Sequence, residues 1–125
     1  MSQKNKEIVE KVNAAFAENN PEVFLSNCAD DVTWTMVGEK TSNGKKAIQK
    51  WLAEMKDMDP PKFSVAKVIA EGGSVVCFGD MTMTDKDGKV QNYSYCDIYG
   101  FDKDKIAELT SYVIKIEKKG RTASV

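Results

Sequence analysis

The chain has 125 residues, of which 42% are hydrophobic and 30% are charged. This composition is typical of a soluble globular protein and argues against a disordered, collagen-like or coiled-coil chain. The 18 basic residues are balanced by 19 acidic ones, so no positive surplus indicates binding to nucleic acid. We expect a single domain that spans residues 1–125.

Two residue types that serve many active sites are scarce or missing. The sequence has no histidine, which excludes Ser-His and Cys-His nucleophiles, histidine bases and the usual histidine-containing metal sites. Its single arginine, Arg121, lies in a polar C-terminal stretch, so we expect no arginine clamp on phosphate or carboxylate. Any catalysis would depend on Asp, Glu, Tyr, Lys or Cys, and we expect neither a metal nor a cofactor.

The cysteines and the N-terminus are both typical of a cytoplasmic protein. Cys28, Cys77 and Cys96 are too few and too scattered for a disulfide framework, and their apolar neighbours predict buried side chains. The polar N-terminus leads directly into a helical pattern, without a signal peptide. No apolar run approaches the roughly 18 residues of a membrane span. We therefore expect a cytoplasmic location and no contact with a membrane.

The N-terminal third of the chain predicts two helices. Between residues 4 and 19, apolar residues recur at helical spacing and form one buried stripe. Asn20 and Pro21 then predict a second start, with Asn20 as the N-cap and Pro21 in the first helical position. This second helix is short and is expected to end near residues 27–29.

A strand and a third helix are predicted next. From Asp31 the pattern alternates, with Val32, Trp34 and Met36 on one face of a strand. Residues 38–44 are predicted to form a polar loop. A third amphipathic helix should follow and end before two prolines at 60–61, and its apolar positions are Ala47, Ile48, Trp51, Leu52 and Met55.

The second half of the chain predicts four long strands, over residues 62–71, 74–84, 89–101 and 106–117. Glycine- and aspartate-rich turns separate them, which is typical of antiparallel hairpins. Residues 118–125 are predicted to form a flexible tail. The predicted order is ααβαββββ, an α+β domain with its helices early and a strand meander late.

The strand predicted over residues 89–101 carries an unusual set of side chains. Tyr95, Asp97 and Tyr99 share one face with Tyr93. Buried phenols need hydrogen-bond partners, and the face is too aromatic for an ordinary solvent-exposed surface, so we expect a partly polar cavity wall. Desolvation would keep Asp97 protonated as a hydrogen-bond donor, or tyrosine hydroxyls would hold it as a structural carboxylate. The pattern leaves both open.

Asp80 is the other carboxylate inside a predicted strand, and the sequence does not decide which face carries it. A bulge at Gly79 would turn Asp80 inward. Without one, Met81 and Met83 face inward and Asp80 faces solvent, which is the arrangement that we favour.

Several segments together resemble the SnoaL-like branch of the NTF2-like superfamily. They are residues 29–34 (ADDVTW), 44–52 (GKKAIQKWL), 95–101 (YCDIYGF) and 105–112 (KIAELTSY). The resemblance covers about residues 4–117. It implies a cystatin-like cone, in which three N-terminal helices pack in a strongly curved antiparallel sheet that encloses a pocket. It also implies a homodimer formed through the convex face of the sheet.

The resemblance assigns a place to Asp97 but leaves out other groups. Asp97 falls where ketosteroid isomerases keep a protonated Asp in the oxyanion hole. Their partner tyrosine, their general base and a further pocket tyrosine would fall near Val12, Met36 and Leu52, which are apolar. The resemblance therefore does not imply that isomerase mechanism. Polyketide cyclases of the superfamily use an Asp acid/base in the cavity, a role that Asp97 could fill.

Three hypotheses for function follow. The first is a protein of undefined activity that binds a small, mostly apolar or cyclic ligand in a pocket holding Asp97. The second is a cofactor-independent lyase or isomerase of the cyclase or ketosteroid isomerase kind, with Asp97 as acid/base and a hydroxyl of Tyr95 or Tyr99 stabilising an enolate. The third is a structural dimerisation domain with a filled cavity. Whether the protein is an enzyme stays open.

The candidate pocket residues on the last strand, Leu109, Ser111 and Val113, follow from its alternation. We assume that Ser111 points inward and Tyr112 toward the dimer partner; a slip of one residue would exchange the two faces. The predicted pocket residues are Trp34, Met36, Trp51, Met55, Tyr95, Asp97, Tyr99, Leu109, Ser111 and Val113.

Overall fold

The structure of the chain is a computed structural model that describes residues 2–54, 61–85 and 87–116. Its helices are α1 (Ser2–Ala17), α2 (Glu22–Ser26) and α3 (Lys45–Glu54), and its strands are β1 (Cys28–Met36), β2 (Lys40–Asn43), β3 (Lys62–Glu71), β4 (Ser74–Thr84), β5 (Val90–Asp102) and β6 (Lys105–Lys115). The predicted α+β class, with helices early and long strands late, is confirmed. In the part of the chain that the structure describes, no helix is long and apolar enough to cross a membrane.

The six strands form one curved sheet in the order β2-β1-β6-β5-β4-β3. Every neighbouring pair is antiparallel except β1 and β6, which run parallel. The sheet was predicted to be antiparallel throughout. It differs at this pair because β1, which forms a hairpin with β2, joins the β3–β6 meander at the outer edge of β6 and runs in the same direction as β6.

Strand β2 lies in the segment predicted to be a loop. Its sequence, Lys-Thr-Ser-Asn, has no apolar alternation, and its side chains are mostly exposed. It pairs only with β1 at the edge of the sheet, from Thr33 opposite Asn43 to Met36 opposite Lys40. A short polar edge strand is held by backbone hydrogen bonds and buries no apolar face, so the hydrophobic pattern does not reveal it.

Helix α2 begins one residue later than predicted. Pro21 occupies the N-cap position, without a side-chain hydrogen bond, and its carbonyl accepts the Leu25 N–H at 3.1 Å. The prediction of Asn20 as the N-cap is therefore wrong. The chain then enters β1 at Cys28, three residues before the predicted change of pattern at Asp31.

The core lies between the helices and the inner face of the sheet. Its fully buried side chains come from both layers and include Val9, Val12, Phe24, Val32, Ile48, Val75, Ile106 and Leu109. Helix α1 packs on β3 and β4, and α3 packs on β1 and β2. Rings of Phe16, Phe24 and Trp34 join the helices to β1, with centroid separations of 5.5 Å and 5.3 Å between successive pairs.

Gly79 marks a bulge, but the extra residue lies in the neighbouring strand. The β3–β4 register shifts between Val65 and Lys67, which leaves Ala66 without a partner near Gly79. A Cβ atom at Gly79 would overlap the carbonyl oxygen of Ser64 and lie 2.8 Å from the Ala66 nitrogen. Asp80 stays exposed, as we favoured, and its carboxylate accepts a hydrogen bond from Ser94 Oγ at 3.2 Å.

The three cysteines are free thiols in two environments. Cys28 and Cys77 are buried as predicted, whereas Cys96 is only half-buried because it faces the outer side of the sheet. Burial raises the pKa of the Cys28 thiol to about 12, so this group stays protonated at neutral pH. Two further predictions, for Met55 and for the flexible tail at 118–125, concern residues outside the described ranges.

Candidate functional site

Strand β5 directs the predicted polar cluster toward the helices. Tyr95 and Tyr99 are 4% and 1% exposed, and Asp97 between them is half-buried. The alternate residue Ile98 faces the outside. Since side chains alternate along a strand, this placement follows directly from the sequence once one residue of the strand is known to face inward.

Sheet pairing surrounds Asp97 with residues from three other strands. Ser111 of β6 lies directly opposite Asp97 on one side, and Cys77 of β4 lies opposite it on the other. Met36 of β1 is the next partner beyond Ser111. A single row across the sheet therefore reads Met36, Ser111, Asp97, Cys77, and a second row places Trp34 beside Leu109 and Leu109 beside Tyr99.

A short hydrogen-bond chain ends at the Asp97 carboxyl group. Trp34 Nε1 donates to Ser111 Oγ at 3.0 Å, and Ser111 is 3% exposed. Because the serine oxygen accepts this bond, its own proton is available to Asp97. Burial raises the pKa of Asp97 from 3.8 to about 6, and the hydrogen bond from Ser111 limits the rise.

The two tyrosine hydroxyls have different surroundings. The Tyr95 hydroxyl lies 3.8 Å from Cys77 Sγ, which also accepts a hydrogen bond from Asn13 Nδ2 at 3.1 Å. The Tyr99 phenol is 1% exposed and lies on the wall of the cavity between the sheet and the helices. Burial raises the pKa of both phenols, so both keep their protons at neutral pH. Tyr99 is therefore a buried, protonated phenol on the cavity wall.

These side chains line one cavity of about 200 Å³ between the sheet and the helices. All of the predicted pocket residues except Met55, which lies outside the described ranges, are on its wall: Trp34, Met36, Trp51, Tyr95, Asp97, Tyr99, Leu109, Ser111 and Val113. Asp97 is the only charged residue among the described residues that line it. The cavity is therefore a largely apolar space with one titratable carboxyl group.

Other lining residues were absent from the predicted set: Asn13, Phe16, Asn19, Pro21, Leu52, Pro61, Phe63, Met81, Met83 and Thr84. Helical spacing could have identified two of them, Asn13 and Phe16. Asn13 lies four residues after Val9 and three before Phe16, on the same face of α1. Strand alternation had placed Met81 and Met83 inward without assigning them to the pocket.

Flat side chains form two sides of the cavity. The rings of Trp34 and Trp51 meet edge to face at 5.0 Å, and Lys40 Nζ lies 4.9 Å from the centre of the Trp51 ring. The rings of Phe63 and Tyr95 make a similar contact at 5.4 Å. Aromatic walls of this kind suit a flat ligand, because ring edges and faces attract one another.

The sequence profile of the SnoaL-like domain family matches residues 9–109, from α1 to β6. The chain belongs to this family. A search of curated proteins gives no match. The match to the SnoaL-like domain covers Asp97, all of β4 and β6 as far as Leu109, and the resemblance noted from the sequence is confirmed.

Solved structures share the fold of this SnoaL-like domain. An NTF2-like protein of unknown function from Cytophaga hutchinsonii has 25% sequence identity and a TM-score of 0.74, with 87% of this chain and 98% of that chain covered. A candidate SnoaL-like polyketide cyclase from Jannaschia has 12% identity and a TM-score of 0.79, with coverage of 90% and 87%. TerC, co-crystallised with polyporic acid, has 21% identity and a TM-score of 0.76, with coverage of 86% and 89%.

The SnoaL-like domain has the cone fold that the resemblance implied. The resemblance placed the other functional groups of ketosteroid isomerases near Val12, Met36 and Leu52. In the structure Val12 is buried, and Met36 and Leu52 line the cavity. None of the three side chains can donate or accept a proton. The acid–base chemistry available in the described cavity is therefore that of one carboxyl group, Asp97, with the hydroxyls of Ser111, Tyr95 and Tyr99 on the same wall.

Proposed function

We propose that this SnoaL-like domain binds a small, mostly apolar cyclic ligand in the inner cavity, with an oxygen atom of the ligand against Asp97. The observation that carries the proposal is the isolation of this carboxyl group. It is the only charged residue among the described lining residues, and it lies between apolar and aromatic walls. A polar group at this position gives a ligand one fixed orientation.

The volume of the cavity supports a ligand of one or two rings. An apolar cavity of roughly 150 Å³ binds benzene, and drug-sized ligands need roughly 300 Å³ or more. The value here, about 200 Å³, lies between them. An open volume of this size also favours ligand binding over the hypothesis of a structural domain whose own side chains fill the cavity. TerC, which has the same fold, was co-crystallised with polyporic acid, which is in line with small-molecule binding.

Calorimetry with 2-naphthol and naphthalene tests this proposal. Both probes have two rings, but only 2-naphthol can donate a hydrogen bond to Asp97. We expect 2-naphthol to bind about tenfold more tightly, since a hydrogen bond to a charged group contributes roughly 1.5–3 kcal/mol before other losses. Asp97→Ala should remove this preference. Asp80→Ala, which removes an exposed carboxylate of β4, should keep it.

Equal affinity of the unmodified protein for the two probes would contradict the proposal that Asp97 orients the ligand. Failure of both probes to bind would contradict the ligand-binding function itself. A preference that survives in Asp97→Ala would assign the polar contact to another residue of the cavity.

We infer a second candidate function, proton transfer next to a carbonyl group, from the protonation behaviour of Asp97. Its pKa, about 6, leaves the group mostly ionised at pH 7 but still able to hold a proton. The carboxylate would take a proton from the carbon beside the ketone of a cyclic substrate, forming an enolate. The Tyr99 hydroxyl would donate a hydrogen bond to the enolate oxygen, and protonated Asp97 would return the proton to carbon.

Deuterium exchange of 2-tetralone in D₂O, followed by proton NMR, tests this candidate. We expect the protein to accelerate exchange of the protons beside the carbonyl, and Asp97→Asn to remove the acceleration. Tyr99→Phe should slow it by about 100-fold, the usual loss for one donor to an oxyanion. Asp80→Asn is the matched control. Binding of 2-tetralone without accelerated exchange would leave the protein as a binding protein.

We also propose that two copies pair through the outer face of the sheet. Ile98, Tyr112 and Ile114 are 36%, 42% and 64% exposed on the adjacent central strands β5 and β6. Large apolar side chains in a contiguous exposed patch are characteristic of an interface. The patch lies on the face opposite the cavity, so a second copy could cover it without blocking Asp97.

A further inference from the structure

Phe63 occupies an unusual place at the start of the edge strand β3. It pairs with Met81 of β4, and its ring meets the Tyr95 ring edge to face at 5.4 Å. The ring is partly buried against the core. Strand β3 has a sheet neighbour on one side only, and its pairing is interrupted at Ala66, three residues further on.

Phe63 lines three cavities of the described structure. The first is the inner cavity of about 200 Å³ that holds Asp97. The second, of about 580 Å³, is called the outer groove here, and its other lining residues are Ala17, Pro61, Lys62, Thr82, Thr84 and Val90. The third, of about 620 Å³, lies beside Ser64 and Asp80. Phe63 is therefore part of the wall between the inner cavity and the space outside.

The inner cavity and the outer groove share more than this one residue. Pro61 and Thr84 also line both spaces. The outer groove presents Val90, which is 62% exposed, and Lys62 is its only charged residue among those described. An apolar chain that passes the Phe63 ring would thus meet the apolar side chains of Ala17, Pro61 and Val90 within the outer groove.

We propose that Phe63 sets the upper size limit of the ligand by closing the inner cavity against the outer groove. This inference rests on the proposed ligand-binding function. The preferred ligand is a ring with a short apolar substituent, whose ring lies near Asp97 and whose substituent ends at Phe63. Removal of the ring of Phe63 joins the two spaces and admits a longer chain.

A series of 4-alkylphenols of increasing chain length tests the proposal by calorimetry. Each buried methylene contributes about 0.8 kcal/mol, so the affinity should rise about fourfold per carbon until the chain meets Phe63, and then level off. In Phe63→Ala the rise should continue for at least two further carbons. Phe63→Leu, which keeps an apolar side chain and serves if the alanine variant does not fold, should shift the plateau by less.

Phe78→Ala is the matched control, because Phe78 is a half-buried ring on the outer face of β4 that lines none of the three cavities. Its affinity profile should follow that of the unmodified protein. A plateau at the same chain length in the unmodified protein and in both Phe63 variants would overturn the proposal while leaving ligand binding intact. If no alkylphenol binds to any of these proteins, ligand binding and the size limit are both wrong.

Discussion

The indole N–H of Trp34 donates a hydrogen bond to the hydroxyl oxygen of Ser111 at 3.0 Å, across a separation of 77 residues in the chain. The parallel pairing of β1 with β6 brings the two residues together, since it sets Trp34 beside Leu109 and Met36 beside Ser111. The bond uses the serine as an acceptor and leaves its proton for Asp97. Strands β1 and β6, the first and last along the chain, therefore act together on one carboxyl group.

Ser111→Ala should raise the pKa of Asp97 above its value of about 6. The hydrogen bond from Ser111 lowers this pKa, whereas burial raises it, so loss of the donor leaves burial unopposed. Carbon-detected NMR titration of the Asp97 carboxyl group measures the change. If Asp97 is the base in deuterium exchange, the midpoint of the pH–rate profile should rise with it.

Ser94→Ala is the control for this titration. Ser94 lies on the outer face of β5 and donates to exposed Asp80 at 3.2 Å, so its removal should leave the pKa of Asp97 unchanged. An unchanged or lower pKa in Ser111→Ala would mean that the serine does not act as a donor to Asp97.

Asp97→Asn should stabilise the protein at neutral pH. The pKa of this group is higher in the folded state, about 6, than its ordinary value of 3.8. Ionisation is therefore unfavourable in the fold, and the unmodified protein should lose stability as the pH rises from about 4 to about 6. The variant avoids this loss, and its advantage at pH 7 should be about 1–3 kcal/mol.

Urea unfolding of both proteins at pH 4 and pH 7 measures the effect. The difference in free energy of unfolding should be small at pH 4 and should appear in full at pH 7. Asp80→Asn, with its carboxylate on the exposed face, should not show the same gain. If the gain in unfolding free energy of Asp97→Asn over the unmodified protein is smaller at pH 7 than at pH 4, the prediction is wrong.

Gly79→Ala should destabilise the fold by about 2–4 kcal/mol. The new Cβ would overlap the Ser64 carbonyl oxygen and lie 2.8 Å from the Ala66 nitrogen, so the β3 backbone must move away at its bulge. Gly73→Ala is a graded comparison, because its Cβ would lie 3.2 Å from the Phe101 carbonyl oxygen and should cost less. Thermal unfolding of both variants measures the difference, and equal losses would argue against a special requirement at Gly79.

Ile114→Lys should convert a dimer of the protein to a monomer. Ile114 is 64% exposed within the apolar patch of the outer sheet face, where a charge would lose its hydration on pairing. Sedimentation velocity across a range of concentrations measures the change. Val65→Lys introduces the same charge at a 45% exposed position on the edge strand β3, which pairs with neither β5 nor β6, and should not affect assembly. A monomeric unmodified protein at high concentration would contradict the proposed pairing.

Local sequence patterns were sufficient for several parts of the site. The alternation along β5 placed Tyr95, Asp97 and Tyr99 on one face, because successive side chains of a strand point in opposite directions. The same rule required Ser111 and Tyr112 to face opposite sides, and their exposed fractions of 3% and 42% agree with the direction that we assumed. It failed for β2, whose polar residues bury no face and so carry no periodic signal.

The sequence by itself determined the α+β order of the elements other than β2, and it determined which residues of each long strand share a face, because both depend on residues that are close together in the chain. The tertiary structure alone decided which strands meet, and with them the Trp34–Ser111 hydrogen bond, the contact of Asn13 with Cys77 and the cavity of about 200 Å³. The raised pKa of Asp97 belongs to this second group. Desolvation depends on everything that surrounds a carboxyl group, and those surroundings come from distant parts of the chain.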